Sequence, residues 1–550
     1  MKRRARSIAA LTAVLFLALF LRLFCIQVAQ SKWLSLAAVK QRAAGYPLET
    51  ARGQIYDRNR VPLTDFRFTS LVAFPSIISR KDAVAAAVSS ILKTGYSPVR
   101  SLLDGEAPAK VAESLTAGQV SALRALGQEG LTLTEESRRY TPVSIARHVV
   151  GYVGAGGDGQ AGIEKAFDRE LRGDYPGSLA VCVDATGRAI PGLGYRVAGS
   201  PPVDGRLDVV LTIDWRVQAA VERALDSAWA GAGGFKGAAA VVLDARTGEI
   251  LGMASRPNYD QSRVAAYIGD PRGQLLNRAV AAYTPGSVFK VVTAAAAIEG
   301  GHVGLAERFA CRGEVEIGST TFDCASREKG GHGLIDFRTA VAQSCNVAFI
   351  EVGQRVGAES LVKYAGLLGF GRPTPSGILG ESGGNVPDPR SIYPGDLANL
   401  SIGQWKVMAT PLQVAQAMTA VVNGGRLTPV SLVKEVCRPS GLAVKVFRRP
   451  APVQAISPST AAWLRRALFQ ATRSGNATAA WVEGNGSAGK TGSAETGRST
   501  GSRNVLHAWF VGYAPAASPR YVCCVLVEEG GYGGTVAAPV FRCIMEELLG

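Results

Sequence analysis

An apolar segment close to the amino terminus constrains the fold of this chain more than any other feature. Four basic residues among the first six precede a 22-residue stretch, Ile8–Ala29, that only three polar residues interrupt. As a helix this stretch would be roughly 33 Å long, which is enough to cross a bilayer. A cleaved signal peptide is the alternative, but the one passable cleavage site, Ser35–Ala37, lies well beyond the apolar run. We therefore expect an uncleaved anchor over residues 8–29, with residues 1–7 in the cytoplasm and the remainder outside.

The net charge of +16 is concentrated at the same end of the chain. Residues 1–60 contain eleven lysines or arginines and two acidic residues, so +9 of the excess lies there and +7 lies over the other 490 residues. No basic stripe with interleaved aromatic residues follows. The charge therefore favours a membrane surface as a partner and argues against nucleic acid.

The length and composition predict two globular regions behind the anchor. The 550 residues are too many for one ordinary core, and 47% hydrophobic with 19% charged residues excludes a disordered or coiled-coil chain. A proline- and glycine-containing stretch, Gly199–Gly205, indicates a domain boundary. Residues 30–205 resemble a loosely built α+β region. Residues 206–550 carry strand pairs near both ends, which predicts one α+β domain whose sheet has helices between its strands.

Three short motifs are candidates for chemistry, and the first is Ser-x-x-Lys. A neutral lysine one helical turn from a serine can take its proton and make it a nucleophile. Ser287 is favoured because a turn, Thr284–Gly286, precedes an alanine-rich helical run, Val288–Ile298, which places the serine at a helix start. Apolar neighbours would bury Lys290 and lower its pKa. The motif starts at six serines: Ser90, Ser287, Ser326, Ser360, Ser431 and Ser487.

The other two motifs are Ser-x-Asn and Lys-Thr-Gly. Ser344-Cys345-Asn346 falls in a segment predicted as one helix, Phe337–Val352, where a polar pair is hard to explain by packing; a hydrogen-bonded helix start is the ordinary alternative. Lys490-Thr491-Gly492-Ser493 follows a glycine-rich stretch. A strand edge with a cation, hydroxyls and a glycine suits an extended peptide that ends in a carboxylate, and a plain turn is the alternative.

The nine cysteines show no spacing typical of a metal site. Cys-x-x-Cys does not occur and the four histidines are scattered, so we expect no metal. Cys311 and Cys324 flank a short β-rich stretch and are predicted to close a hairpin disulfide, with two separate thiols as the alternative. Adjacent Cys523 and Cys524 should point to opposite faces of a strand.

In this order and with these flanks, the three motifs resemble the set found in penicillin-binding proteins and class A β-lactamases. The chain is similar over nearly its whole length to a class B penicillin-binding protein, a D-Ala-D-Ala transpeptidase of peptidoglycan synthesis. The resemblance includes the anchor and the strand Ala508–Tyr513. It also includes a motif of the pedestal or dimerisation domain: Arg52, Gly53, Asp57 and Arg58.

The resemblance implies a fold. We expect a pedestal domain over residues 30–205 and a β-lactamase/transpeptidase-like domain over 206–550, with an antiparallel sheet flanked by helices. One departure from the family lies in the segment 401–405, where relatives usually have glycine in place of Trp405.

The resemblance also implies a mechanism. Ser287 would attack the penultimate D-Ala carbonyl of a stem peptide with Lys290 as base, and an amine from a neighbouring stem would resolve the acyl-enzyme. Ser344 and Asn346 would shuttle the proton and hold the acyl amide. The backbone N–H groups of Ser287 and Ser493 would form the oxyanion hole.

The last motif would bind the substrate. Lys490 would help to keep the base neutral by like-charge repulsion, and Thr491, Gly492 and Ser493 would bind the terminal carboxylate. No metal or organic cofactor is needed. The expected partners are peptidoglycan stem peptides, β-lactams as covalent inhibitors, the membrane and a SEDS-type glycan polymerase, and the family allows a homodimer.

Two other functions share these motifs. A β-lactam hydrolase or sensor has the same site but needs no large pedestal. A catalytically idle scaffold is the third reading, and the intact motifs argue against it. No glycosyltransferase segment appears between the anchor and residue 206, so we expect a monofunctional enzyme. The patterns leave open whether it serves elongation, division or sporulation.

Overall fold

A computed structural model describes most of the chain. The residues it describes are 2–30, 43–47, 52–75, 78–105, 109–172, 178–182, 195–198, 205–231, 235–500 and 503–550. The predicted boundary at Gly199–Gly205 lies almost wholly outside these residues, so its position stays a prediction.

The amino-terminal segment is helical, as its apolar run predicts. Helix α1 (Lys2–Phe24) continues into a π-helical turn, Cys25–Ala29. Within it, Leu11–Val28 has a mean hydropathy of 2.3 over 18 residues and is not buried by the rest of the protein. This helix is long and apolar enough to cross a membrane.

The region before residue 206 is built from short strands and helices. Its described strands are β1 (Ala43–Pro47), β2 (Ile55–Tyr56), β3 (Phe66–Ala73), β4 (Ala109–Ala112), β5 (Leu131–Arg138), β6 (Ser178–Cys182) and β7 (Tyr195–Ala198). Its described helices are α2 (Lys81–Leu92), α3 (Tyr96–Asp104), α4 (Ala117–Leu126), α5 (Arg147–Val150), α6 (Gly162–Ala166) and α7 (Asp168–Arg172). Two antiparallel sheets form here, in the orders β4-β3-β5 and β1-β6-β7. Helices α2, α3 and α4 share a small apolar core with the first sheet.

The region from residue 206 is larger and more regular. Its strands are β8 (Asp208–Leu211), β9 (Gly237–Asp244), β10 (Ile250–Arg256), β11 (Arg308–Cys311), β12 (Glu314–Ile317), β13 (Thr320–Asp323), β14 (Gly333–Asp336), β15 (Arg426–Leu427), β16 (Val433–Cys437), β17 (Ala443–Val446), β18 (Val453–Gln454), β19 (Ala488–Thr500), β20 (Arg503–Ala514) and β21 (Tyr521–Glu528). Its helices are α8 (Trp215–Gly231), α9 (Lys290–Glu299), α10 (Phe337–Gln343), α11 (Asn346–Leu367), α12 (Pro394–Ser401), α13 (Pro411–Val422), α14 (Pro458–Ser474) and α15 (Ala537–Leu549).

The central sheet of this region has the order β10-β9-β21-β20-β19, with every pair antiparallel. Its strands come from both ends of the region, as predicted. Because side chains alternate along a strand, Val241 and Cys524 face one apolar core and Val242 and Cys523 face the other. The prediction for the two adjacent cysteines is confirmed. Strand β19 lies at the edge of the sheet.

A second sheet connects the two regions. Its order is β17-β16-β8-β2, and β2 runs parallel to β8 with Ile55 opposite Val209. Residues at the start of the pedestal therefore complete a sheet whose other strands belong to the larger region.

Candidate active site

Ser287 lies in a single 3-10 turn, Gly286–Phe289, that leads directly into α9. A helix start is therefore found where it was predicted, with 3-10 geometry in its first turn. Gly286 has φ +57°, and a Cβ there would lie 2.9 Å from the Cβ of Ala494 on β19. Glycine allows both the backbone angle and this close approach. The side chain of Ser287 is half-buried and lies beside the edge strand.

Lys290, one turn later, is wholly buried. Its Nζ donates to Asn346 Oδ1 at 2.6 Å, to the carbonyl oxygen of Ser344 at 2.8 Å and to Ser344 Oγ at 3.3 Å. Burial lowers the pKa of Lys290 to about 8. About a tenth of such lysines are neutral at pH 7, against fewer than about one in a thousand at the ordinary pKa. This amine can therefore act as a base.

The Ser-x-Asn motif lies at a break between two helices. Helix α10 ends at Gln343, Ser344 has φ +58° in the left-handed region, and α11 begins at Asn346. The prediction of one continuous helix over Phe337–Val352 is wrong here. A non-glycine residue in this conformation costs about 1–2 kcal/mol. The break turns both the carbonyl and the hydroxyl of Ser344 toward Lys290, which an uninterrupted helix would not do.

The Lys-Thr-Gly motif lies on edge strand β19. Lys490 is wholly buried, and its Nζ donates to the carbonyl oxygen of Thr491 at 3.1 Å. Burial and then the charge of Lys290 lower the pKa of Lys490 well below its usual range. The charge of Lys290 therefore disfavours protonation of Lys490.

The residues after Lys490 approach the Ser287 turn. A Cβ on Gly492 would lie 3.1 Å from the carbonyl oxygen of Pro285. Thr491 and Ser493 lie two residues apart on the strand and therefore share a face. The Thr491 hydroxyl donates to Asn476 Oδ1 at 3.2 Å, and Ser493 Oγ accepts from the N–H of Gly533 at 3.1 Å.

Lysine burial separates the six Ser-x-x-Lys sequences. The lysines that follow Ser90, Ser326, Ser360 and Ser431 are exposed. Lys490 is buried, but its serine, Ser487, is buried too and donates to a backbone carbonyl at 2.7 Å. Ser287 alone among the six combines a half-buried hydroxyl with a wholly buried lysine.

The loop 401–405 closes the site from another side. The N–H of Gly286 donates to the carbonyl oxygen of Gly403 at 2.8 Å. Trp405 has φ +70°, a conformation that glycine adopts freely and other residues adopt at a cost. This explains in physical terms why glycine would suit the position. Lys406 lies 4.8 Å from the centre of the Trp405 ring.

Four side chains that the motif analysis did not connect meet beside Ser344. Ligand atoms of Cys311, Cys324, His332 and Cys345 all lie within 4.8 Å of one another. The expectation that no metal binds stays a prediction, although folding brings together four potential ligands whose spacing resembles no common motif. Their grouping could have been suspected from Cys345, which interrupts the Ser-x-Asn motif. Cys311 and Cys324 are free thiols, so the predicted hairpin disulfide is not formed.

The contacts of the pedestal motif connect the two regions. Arg52 donates through Nε to Glu164 Oε2 at 2.6 Å and pairs with Asp168 at 2.7 Å. A Cβ on Gly53 would lie 2.0 Å from the carbonyl oxygen of Leu207. The ion pairs of Arg52 and the close backbone packing at Gly53 therefore fix the segment that leads into β2.

The second half of the motif contacts the larger region. Asp57 is wholly buried; its Oδ1 accepts from the N–H groups of Asn59 and Val61 at 2.8 and 2.7 Å, and its Oδ2 accepts from the N–H of Trp215 at 3.0 Å. Arg58 donates to Glu249 at 2.9 Å. Asp57 thus caps helix α8 from a distance of 158 residues along the chain.

Fold and site together define a class. A buried lysine one turn after an accessible serine, a Ser-x-Asn turn bonded to that lysine and an edge strand carrying Lys-Thr-Gly form the site of serine acyltransferases of the penicillin-recognising type. Comparison with known proteins gives the family. A model of the penicillin-binding protein transpeptidase domain matches residues 238–546, and a model of the penicillin-binding protein dimerisation domain matches residues 47–207. The chain belongs to the class B penicillin-binding proteins.

Individual relatives agree along nearly the whole chain. Stage V sporulation protein D of Bacillus subtilis is 33% identical over 98% of this chain and 84% of its own length. The probable peptidoglycan D,D-transpeptidase PenA of Neisseria meningitidis is 30% identical over 97% of this chain and 90% of its own.

Solved structures give the same result. Penicillin-binding protein 3 from Mycobacterium tuberculosis, complexed with aztreonam, is 27% identical with a TM-score of 0.66, covering 92% of this chain and 96% of that one. A chain from a peptidoglycan synthase complex that coordinates polymerization and crosslinking is 28% identical with a TM-score of 0.72, covering 99% of this chain and 98% of that one.

Proposed function

We propose that this chain is a peptidoglycan D,D-transpeptidase in which Ser287 forms the acyl-enzyme. The observation that carries the proposal is the buried Lys290 amine, which lies one turn from Ser287 and is bonded to both polar members of the Ser-x-Asn turn. Ser287 Oγ attacks the carbonyl carbon of the penultimate D-Ala of a stem peptide, and its proton passes to Lys290 Nζ. The C–N bond then breaks, and the terminal D-Ala leaves as an amine that takes up a proton.

The second half of the reaction uses the same groups in reverse. An amine of a neighbouring stem peptide attacks the ester carbonyl, and Ser344 and Lys290 carry its proton back to the Ser287 oxygen. The Asn346 side chain holds the amide of the acyl group. The backbone N–H groups of Ser287 and Ser493 stabilise the oxyanion in both steps.

The substrate lies along edge strand β19 as an additional extended strand. Thr491 and Ser493 share one face of this strand and bind the terminal carboxylate, and Gly492 leaves room for the peptide backbone. Burial keeps part of the Lys290 base neutral, and the charge of Lys290 in turn disfavours protonation of Lys490, the second buried amine of the site.

The proposal includes the domain boundaries and the membrane topology. Residues 1–7 form the cytoplasmic tail, residues 8–29 the membrane span, residues 30–205 the pedestal and residues 206–550 the extracytoplasmic transpeptidase domain. The basic tail and the exposed apolar helix support this orientation. A SEDS-type glycan polymerase is the proposed partner, supported by the similarity to a chain of a peptidoglycan synthase complex.

Covalent labelling with a fluorescent penicillin tests the nucleophile. The full chain in detergent should be labelled at one residue, and Ser287→Ala should abolish the label. Ser360→Ala is the matched control, because Ser360 is also a half-buried serine of a Ser-x-x-Lys sequence but its lysine is exposed; it should label normally. Lys290→Ala should slow acylation by roughly 10²–10⁴-fold, the usual contribution of a general base.

Two results would contradict the assignment. Labelling that survives Ser287→Ala would show that another serine is the nucleophile. Rapid turnover of penicillin by the unmodified protein would show a β-lactam hydrolase instead.

Digestion of intact cells with an external protease tests the membrane topology. The protease should digest the chain beyond about residue 30, and protection of the bulk of the chain would contradict the proposed orientation.

A further inference from the structure

The group formed by Cys311, Cys324, His332 and Cys345 has no part in the acylation chemistry described above. The sulfur of Cys311 lies 3.4 Å from His332 Nδ1, and the sulfur of Cys324 lies 3.5 Å from the same nitrogen. The three cysteines are buried and the histidine is half-buried. Buried polar groups converging on one point in this way call for a common partner.

The two sulfur–nitrogen distances match an edge of a zinc tetrahedron. Zinc lies about 2.3 Å from a thiolate sulfur and about 2.0–2.1 Å from an imidazole nitrogen, so a tetrahedral angle separates sulfur and nitrogen by about 3.6 Å. The two observed sulfur–nitrogen distances agree with that edge to within 0.2 Å. All four ligand positions are supplied by the protein, which is the arrangement of a structural site rather than of a catalytic one.

The four residues come from the ends of four different elements. Cys311 ends β11, Cys324 follows β13, His332 precedes β14, and Cys345 is the residue before α11. The segment before β14 lies very close to the end of β11. A Cβ on Gly331 (φ +93°) would lie only 2.1 Å from the carbonyl oxygen of Cys311, so only glycine fits there. A bound ion would therefore join both strand pairs to the start of the long helix.

A metal ion would add stability here, because the apolar core beneath strands β12 and β13 is small. Strands β12 and β13 pack on α11 and α12 through a separate cluster of three buried residues, Phe322, Ile350 and Ala398. So small a core contributes little stability, and small modules are commonly fixed by disulfides or by a metal ion. The same strands bear on the active site, because the side-chain amide of Asn346 donates to the carbonyl oxygen of Asp323 at 2.8 Å.

We propose that Cys311, Cys324, His332 and Cys345 bind one structural zinc ion, and that this ion fixes the Ser344–Asn346 turn against the hairpin. Binding ionises the three thiols and releases their protons to solvent. Three sulfur ligands and one imidazole favour zinc over the hard cations magnesium and calcium. Ser326 Oγ lies 3.0 Å from His332 Nδ1 and 3.8 Å from the sulfur of Cys311, where its hydroxyl can donate to the metal-bound thiolate.

A disulfide is the competing chemistry for the same cysteines. It would bring two sulfurs to about 2.05 Å and leave the third thiol and the histidine without a shared partner. Zinc uses all four groups, and the free thiols in the structure are already placed around a common centre.

Metal content of the purified full chain in detergent tests the proposal. Protein prepared without chelators should contain one zinc ion per chain by mass spectrometry of the metal. Cys311→Ser, Cys324→Ser and His332→Ala should each lose it. Cys543→Ser is the control, because Cys543 is an exposed thiol far along the chain on α15, and it should keep the zinc. Replacing zinc by cobalt(II) should give the intense visible bands of tetrahedral coordination with thiolate charge transfer, a readout that does not depend on the variants' folding.

The consequence for the active site rests on the proposed function and has its own readout. Removing the metal should slow acylation by fluorescent penicillin by about 10- to 100-fold, the range typical when a metal site loses its supporting shell. Readdition of zinc should restore the rate. Zinc-free protein with a disulfide among the three cysteines, or zinc retained in all three variants, would overturn the site. Absence of labelling from a zinc-loaded chain would contradict the acylation chemistry and leave the metal site standing.

Discussion

Replacement of Asp57 tests how the pedestal is fixed to the transpeptidase domain. Asp57→Ala removes a buried carboxylate that accepts three backbone N–H groups at 2.7–3.0 Å. The bond to Trp215 N is a helix cap worth about 1 kcal/mol. The two bonds within the turn, each to a charged acceptor, contribute about 1.5 kcal/mol apiece. We expect a loss of about 4 kcal/mol, which for a domain of more than about 300 residues lowers the Tm by roughly 5 °C.

Thermal unfolding of the full chain in detergent measures this loss. Asp214→Ala is the control, because Asp214 is half-buried, caps the same helix through one bond to the N–H of Arg216 at 3.0 Å, and otherwise accepts only an exposed bond from the Asn59 side chain at 3.2 Å. It should cost only about 1 kcal/mol. Below its lowered transition, the Asp57 variant should still label with fluorescent penicillin, since the bonds of this carboxylate are to its own turn and to α8. A Tm shift no larger than that of the control would refute the assigned bonds. Lost labelling at an unchanged Tm would show that the pedestal acts directly on the acylation site.

Three further changes test other parts of the structure. Burial lowers the pKa of His148 to about 4, whereas the unfolded chain binds the proton below about pH 6.5. The folded state therefore keeps its full stability above about pH 6.5 and loses up to about 3 kcal/mol as the pH falls to about 4, and melts of His148→Gln should show less of this acid loss. Glu164→Ala should cost about 3–5 kcal/mol in thermal unfolding, because the wholly buried Glu164 carboxylate pairs with both Arg52 and Arg139, and both enclosed arginines would lose this partner. Gly53→Ala should lower the Tm strongly, since the new Cβ would lie 2.0 Å from a carbonyl oxygen, while Gly118→Ala, which faces open space, should not.

The sheet and the larger motifs could be predicted because their causes are local. The start of α8 follows from Asp214, whose side chain caps the next turn, and the hairpin of β9 and β10 follows from the turn residues Asp244–Gly248. The second cap of the same helix, Asp57, could not be predicted in this way. It comes from another domain, and no local pattern marks a partner 158 residues distant.

In the active site, too, the locally determined features could be predicted from the sequence and those that depend on tertiary contacts could not. Ser287 and Lys290 lie on one helical turn, so their spacing alone placed them together. The break at Ser344 was missed because Phe337–Val352 has helical composition throughout, and the left-handed residue is neither glycine nor asparagine. Bonds from Lys290, which is 54 residues away, support this conformation, so tertiary structure overrides the local preference.

The cysteine group was hidden for a related reason. Spacing rules for zinc detect ligands that one loop presents close together, as in Cys-x-x-Cys. Here each ligand ends or begins a different element, and antiparallel pairing places Cys311 opposite Gly333, next to His332. The pairing of two short strands therefore brings two of the proposed ligands close together, as a short spacer does in a common zinc motif. Since Cys345 is also the middle residue of Ser-x-Asn, the turn that orients Ser344 toward Lys290 is also the turn that presents a proposed metal ligand. In this chain the geometry of the proposed proton relay and the placement of one of the four proposed metal ligands therefore depend on the same three-residue turn.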